Sequence, residues 1–351
     1  MKRWIITLIG ISMVLAGCAP TPEAQRVLKV MTYDSFSISE EVIAQFEEAH
    51  NVSVQFLQAG DAGTMLNQAI LSRDNPQADV LYGVDNTFLS RALTAEIFEP
   101  YEAENLKNIP QNLQLDPDHY VVPTDFGDVC LNYDKAAFEE LGLPLPESLE
   151  DLTRLEYEGL LVVENPASSS PGLAFLLATI SAFGESGDET YLDFWRQLRD
   201  HDVLVVDGWD TAYYTEFSGG GASEGTRPLV VSYATSPAAE VYFSEGALET
   251  PPTGAVTAPG TCFSQIEFAG ILKGTPHREL AEAFIEFLLS DTFQNDIPLQ
   301  MWVFPASRTA TLPEVFESYA AKAEEPAALP YDLIEANREA WIEAWTETVL
   351  K

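Results

Sequence analysis

The sequence predicts an α/β fold built on a mainly parallel sheet. Short apolar strands alternate with amphipathic helices along residues 27–95, and the alternation resumes after Gly159. The chain is also long enough for two ordinary domains: it has 351 residues, 46% hydrophobic and 11% aromatic, which argues against general disorder.

The elements follow in order. Residues 27–33 form an opening apolar strand. Ser39 is placed to cap a helix whose Val42, Ile43 and Phe46 share one face. Residues 51–56 alternate like a second strand. Residues 64–73 read as a helix with Met65, Leu66, Ala69 and Ile70 inward. A third strand covers 79–83 and another helix 87–95. Residues 120–123 lead into a strand at 129–133. Pro123 has no N–H for a ladder and is expected at an edge or crossover. Beyond lie strands at 159–163, 203–206, 228–233 and 264–269, with helices at 173–183 and 280–289. Trp341 and Trp345 stand four apart, so they share a face of a terminal helix and are expected to pack in the core. No internal repeat or low-complexity block interrupts this order.

The N-terminus carries its own signal. Lys2 and Arg3 precede an apolar run over 4–16, and Leu15-Ala16-Gly17-Cys18 closes it. A basic start, a short apolar stretch and small residues before a cysteine describe a bacterial lipoprotein signal peptide. The run is shorter than the roughly 20 residues that span a bilayer. Residues 1–17 are therefore expected to be removed, Cys18 to carry the lipid, and 18–26 to serve as a tether. The protein would then work outside the cytoplasm, anchored at a membrane surface.

The formal charge is −37. Nucleic-acid binding is excluded on that ground, because phosphate contact needs a basic face. Most of these carboxylates are read as surface solvation, although an acidic surface also attracts cations. Besides Cys18 there are Cys130 and Cys262, which outside the cytoplasm can form one disulfide.

Several chemistries find little support. Gly221-Ala222-Ser223-Glu224-Gly225 matches the nucleophile-elbow pattern, but that motif needs a strand before and a helix after. Here a Ser/Gly loop precedes it and a strand follows. His277, the base it would use, sits at a helix start. His50, His119, His201 and His277 are scattered, with no zinc-ligand spacing. There is no phosphate-binding loop of the Walker type and no EF-hand spacing, and no cofactor is called for. What stands out is aromatic: Tyr33, Trp209, Tyr233 and Trp302 sit at strand ends or turns, where open α/β sheets bind ligands. For each ring alone, core packing is the better reading. Ser168-Ser169-Ser170-Pro171-Gly172 precedes an apolar helix and reads as an N-cap or an anion site. Asp61 is a loop cap or a ligand contact.

In combination these segments resemble the thiamine-binding proteins of bacterial thiamine ABC importers. The resemblance is carried in order by Thr32-Tyr33-Asp34-Ser35-Phe36, Gly83-Val84-Asp85-Asn86, Ser170-Pro171-Gly172-Leu173, Gly208-Trp209, Ser232-Tyr233-Ala234-Thr235-Ser236-Pro237 and Phe293-Gln294-Asn295-Asp296-Ile297-Pro298. It implies a two-lobed type II periplasmic-binding-protein fold with the ligand cleft between the lobes. Residues 27–122 and 264–310 would form one lobe, 123–263 the other, and 311–351 C-terminal helices packed on both. It further implies that Tyr33, Trp209, Tyr233 and Trp302 cage a thiazolium cation. Asp61 would meet its amino-bearing part, and Ser169 with neighbouring amides its hydroxyethyl or phosphate end. Thiamine, with its mono- and diphosphate, would be the ligand, ABC permease subunits the partner, and the receptor a monomer. Cys130 and Cys262 would pair near the hinge.

The rivals are a ferric-ion or polyamine binder of the same fold and an anchored hydrolase using Ser223. Ferric binders of this fold commonly present adjacent tyrosines where this chain has Tyr233 alone; Tyr213 and Tyr214 are adjacent but expected on a helix.

Overall fold

The computed structural model describes residues 26–221 and 223–351. The signal peptide, Cys18 and the tether up to residue 25 lie outside the described residues. Among the described residues, eleven strands form one continuous sheet: β1 Arg26–Thr32, β2 Val52–Gln58, β3 Val80–Asp85, β4 Phe98–Glu99, β5 Val122–Asp134, β6 Leu161–Glu164, β7 Leu204–Val206, β8 Leu229–Tyr233, β9 Thr253–Val256, β10 Phe263–Leu272 and β11 Phe304–Pro305.

The strand order is β2-β1-β3-β10-β5-β8-β6-β7. β1 pairs in parallel with β2 and β3, and β6 with β7 and β8. β5 and β10 run antiparallel to each other and to these groups. The sheet is thus mixed rather than mainly parallel. Helical crossovers make each outer group parallel, whereas β5 and β10 carry the chain from one lobe to the other and back, in opposite directions.

β5 corrects the expectation for Pro123. The strand is long and central, pairing with β10 and then β9 along one side and with β11 and then β8 along the other. Pro123 opposes Phe268, beside a register shift between Glu267 and Phe268. A residue without an N–H is tolerated inside the sheet because the ladder is already irregular there.

The core lies on both faces of this sheet. Leu28 and Val30 of β1 pack on one side with Phe46, Phe284 and Phe293, while Met31 packs on the other with Met65, Leu81 and Phe88. This is the period-2 alternation of a strand buried on both faces. The helix Arg278–Leu288 buries Leu280, Ala281, Phe284, Ile285 and Leu288, one 3.6-period stripe. The helix Ser170–Phe183 is apolar nearly all round and buried as far as Ile180, with proline in its first turn. Gly172 lets its backbone press against Glu164 at the end of β6, where a Cβ would overlap the Glu164 carbonyl.

The helix Tyr331–Val349 braces both lobes. Trp341 and Trp345 are buried, and Trp345 meets Trp195 edge-on at 5.4 Å. Arg338 Nη1 donates to the Thr87 carbonyl at 3.3 Å and to Ser90 Oγ at 3.2 Å. Cys130 in β5 is bonded to Cys262, one residue before β10, across 132 positions of sequence.

Candidate functional site

Strand ends position the aromatic side chains. β1 ends beside Tyr33, whose ring edge lies against Gly83 of β3; Gly83 has φ +98°, and a Cβ there would come within 2.3 Å of the ring's Cδ1 and Cε1. Tyr33 OH donates to Glu267 Oε2 at 2.9 Å. β8 ends at Tyr233, whose ring passes over Gly127 and whose OH donates to Gln265 Oε1 at 2.7 Å. Trp209 follows Gly208 at the start of a short turn. Its ring stacks on Tyr213 at 5.1 Å, and its Nε1 donates to Ser232 Oγ at 2.9 Å. Trp302 stands between the helix Ile297–Gln300 and β11 with φ +58°, and its ring lies 5.3 Å from Tyr242 and 5.4 Å from Phe243.

Asp61 is the N-cap of the helix Ala62–Leu71. Its Oδ1 accepts from Ala62 N at 2.7 Å and its Oδ2 from Trp209 N at 3.1 Å. One carboxylate thus caps a helix of one lobe and holds a turn of the other. Gly63 N to Ser168 O at 3.0 Å, Ser170 Oγ to Asp85 and Thr235 Oγ1 to the Trp302 carbonyl add further inter-lobe links.

These side chains surround a cleft of about 320 Å³ that Tyr33, Asp61, Trp209, Tyr233 and Trp302 all line. Ser169 is not brought there. It is fully buried as the cap residue of the helix Ser170–Phe183, its Oγ lacks a hydrogen-bond partner, and Ser170 lines the cleft instead. Ser39, expected as a capping side chain, makes no cap hydrogen bond; its hydroxyl donates to Asp296. Ser223 lies in a loop, donating to the Thr215 carbonyl at 3.2 Å and accepting from Gly225 N at 2.9 Å. His277 is bound to Asp79 at 3.1 Å instead, so the two do not form a nucleophile and base. Tyr213 faces inward and Tyr214 outward from one π-helical turn, Ala212–Glu216.

The cleft also holds Tyr214, and with it Asp210, Phe243 and Glu267, three residues that no motif in the sequence marks. Glu267 sits in an alternating strand that reads as half-exposed, and only the long-range pairing of β10 shows it to be interior. Among the described residues lining the cleft there is no lysine, arginine or histidine.

The electrostatics are those of carboxylates taken out of water. Burial raises the Asp61 pKa to about 6, against the pull of the Trp209 and Ala62 amides. Asp85 is raised to about 6 by burial despite hydrogen bonds from Thr87. Asp125 is raised to about 6 by burial, opposed by Tyr82 and Thr124. Glu267 is pushed well up by burial and then by Asp125 and Asp85. Such a cleft suits a flat ligand with a positive charge: aromatic faces attract cations, and the carboxylates have no basic side chain in the cleft to neutralise them. Among the described residues no group of three or more His, Cys, Asp or Glu is placed to hold a metal ion.

The family model for bacterial extracellular solute-binding proteins matches residues 75–330. The thiamine-binding periplasmic protein of Brucella suis biovar 1 (strain 1330) is 30% identical, over 97% of this chain and 98% of that one. The protein of that name from Escherichia coli (strain K12) is 30% identical over 95% and 96%. A solved periplasmic thiamin binding protein has a TM-score of 0.78 at 28% identity, covering 95% of this chain and 99% of that one.

Proposed function

The chain belongs to the bacterial extracellular solute-binding protein family, and from that premise we propose that it captures thiamine outside the cytoplasm and hands it to the permease of an ABC importer. One observation carries the reading: Tyr33, Trp209, Tyr233 and Trp302 converge on a cleft whose charged lining is acidic. Thiamine offers a fixed thiazolium charge and a flat aminopyrimidine. A cation over an aromatic face gains roughly 0.5–2 kcal/mol per good contact. Asp61 would accept from the exocyclic amino group. The hydroxyethyl end, or the phosphate of thiamine mono- or diphosphate, would lie at the helix start beside Ser170. There the contact would come from backbone amides, with Ser169 supporting from beneath.

The mature chain would be held at the membrane by lipid on Cys18 and would act as a monomer. Among the described residues no helix is long and apolar enough to cross a membrane. Labelling cells with a radioactive fatty acid tests the anchor: label is expected on the protein and should be lost in Cys18→Ser. Unchanged labelling would remove the anchor from the proposal.

Isothermal titration with thiamine, its two phosphates, spermidine and ferric citrate tests the ligand. Thiamine is expected to bind in the nanomolar range, about −12 kcal/mol. No heat with any thiamine compound would end the assignment. The acidic lining favours a polyamine as the second reading, and heat with spermidine alone would put it in first place.

A further inference from the structure

β3, β10 and β5 are adjacent, and their register brings three acids into one row. Glu267 stands opposite Asp85 on one side and Asp125 on the other. Directly paired residues project from the same face of a sheet, and like charges there are destabilising. The outer two are supplied with donors. Asp85 Oδ1 accepts from Thr87 N at 2.6 Å and Oδ2 from Ser170 Oγ; Asp125 Oδ2 accepts from Tyr82 OH at 2.6 Å and Thr124 Oγ1 at 2.9 Å. Neither lines the cleft. Glu267, in the middle, does line it, and receives Tyr33 OH at 2.9 Å on Oε2. The charges acting on it are Asp125, Asp85 and Asp61, all acidic, and the phenols of Tyr33, Tyr82 and Tyr233 bring no positive charge.

A sheet does not gain stability from such a row. Its effect is to make the floor of the cleft favourable to a cation: a bound positive charge relieves the repulsion and favours the ionised row, in a setting of low dielectric where the attraction is stronger than in water. We infer that Glu267 is the charge-reading residue of this cleft, its carboxylate serving as the partner of the ligand's fixed positive centre, with Asp85 and Asp125 reinforcing it from the neighbouring strands. The inference rests on the thiamine reading above. It adds that selection acts on charge as well as on ring shape: an uncharged ligand of the same outline is discriminated against at Glu267.

The probes are thiamine and its uncharged isostere, in which a thiophene replaces the thiazolium, titrated against wild type and Glu267→Gln. Glutamine keeps an oxygen for the Tyr33 hydroxyl. Glu267→Gln should weaken thiamine by roughly 10- to 100-fold, the range for losing a charged partner, and change the isostere less than about 2-fold by the same scale. Its unliganded melting temperature should be unchanged or higher, because repulsion within the row is relieved. Equal weakening of both ligands, or no weakening of either, overturns the inference while leaving the thiamine reading intact. Failure of wild type to bind thiamine overturns both. If Glu267→Gln does not fold, wild type alone decides. Thiamine binding near pH 6 should release protons that the isostere does not, read from the dependence of the heat on buffer ionisation; equal proton counts overturn the inference.

Discussion

Trp209 is held at both ends. Its amide reaches Asp61 in the opposite lobe and its indole N–H reaches Ser232, so the ring is pre-set before a ligand arrives. Replacing the ring leaves the amide contact in place, which makes Trp209→Ala a clean truncation. Trp209→Ala and Trp302→Ala should each weaken thiamine by about 10-fold, from one lost cation–π contact and its buried area. Titration calorimetry reads this, and unchanged affinity in both would place the cage elsewhere. The buried acids add a pH dependence. Asp85 is raised from 3.8 to about 6. Between about pH 4 and 6 the folded protein therefore holds a proton there that the unfolded chain has released. Its contribution to stability falls as pH rises through that window, on the order of 3 kcal/mol for a shift of this size. Asp61 and Asp125 act in the same direction. The unliganded protein should melt at a higher temperature at pH 5 than at pH 7.5, and the reverse order in a melting series would contradict the burial argument. A cationic ligand prefers the deprotonated cleft, so thiamine affinity should weaken as pH falls below about 6.

At the scale of elements, the glycines in the strands decide where rings can lie. Gly83→Ala drives a methyl against the edge of the Tyr33 ring on a residue of φ +98°. The substitution should cost about 1–3 kcal/mol of stability and also lower affinity, because Tyr33 must swing off its seat. Full retention of both in melting and titration would show that the ring is free to move. The elements also show how far sequence reading reaches. Short apolar runs revealed β1, β3 and β6 to β8, and alternation revealed β2, because these patterns are local to each strand. The cleft rings Tyr33, Tyr233 and Trp302 were visible because each interrupts a strand end or turn. The antiparallel crossing of β5 and β10 was hidden, since the partner of a strand is not written in its own residues. Pro123 misled for that reason, its irregularity being matched by a shift in β10 rather than by a sheet edge. The Asp85–Glu267–Asp125 row was hidden too, as each acid alone looks like an exposed strand residue. Ser169 looked like a hydroxyl at a helix start, but the close seating of Gly172 against β6 draws that start inward and leaves Ser170 facing the cleft.

The molecule as a whole is a strongly acidic body, at −37, around an acidic cleft. Its field should speed the approach of a cation and be screened by salt. The association rate for thiamine, measured by stopped-flow quenching of tryptophan fluorescence, should fall several-fold between low salt and about 0.5 M, where the Debye length has shrunk to a few ångströms. A salt-independent rate would mean that capture is limited by lobe movement instead. The brace formed by the helix Tyr331–Val349 has a consequence in time. During synthesis this segment emerges after both lobes, so until it docks Trp195 lacks its Trp345 neighbour and the Thr87 carbonyl lacks Arg338. A chain interrupted before this helix would leave the Trp195 indole short of cover and open to chaperones and proteases. The docked helix is therefore a mark of maturation that quality control can read.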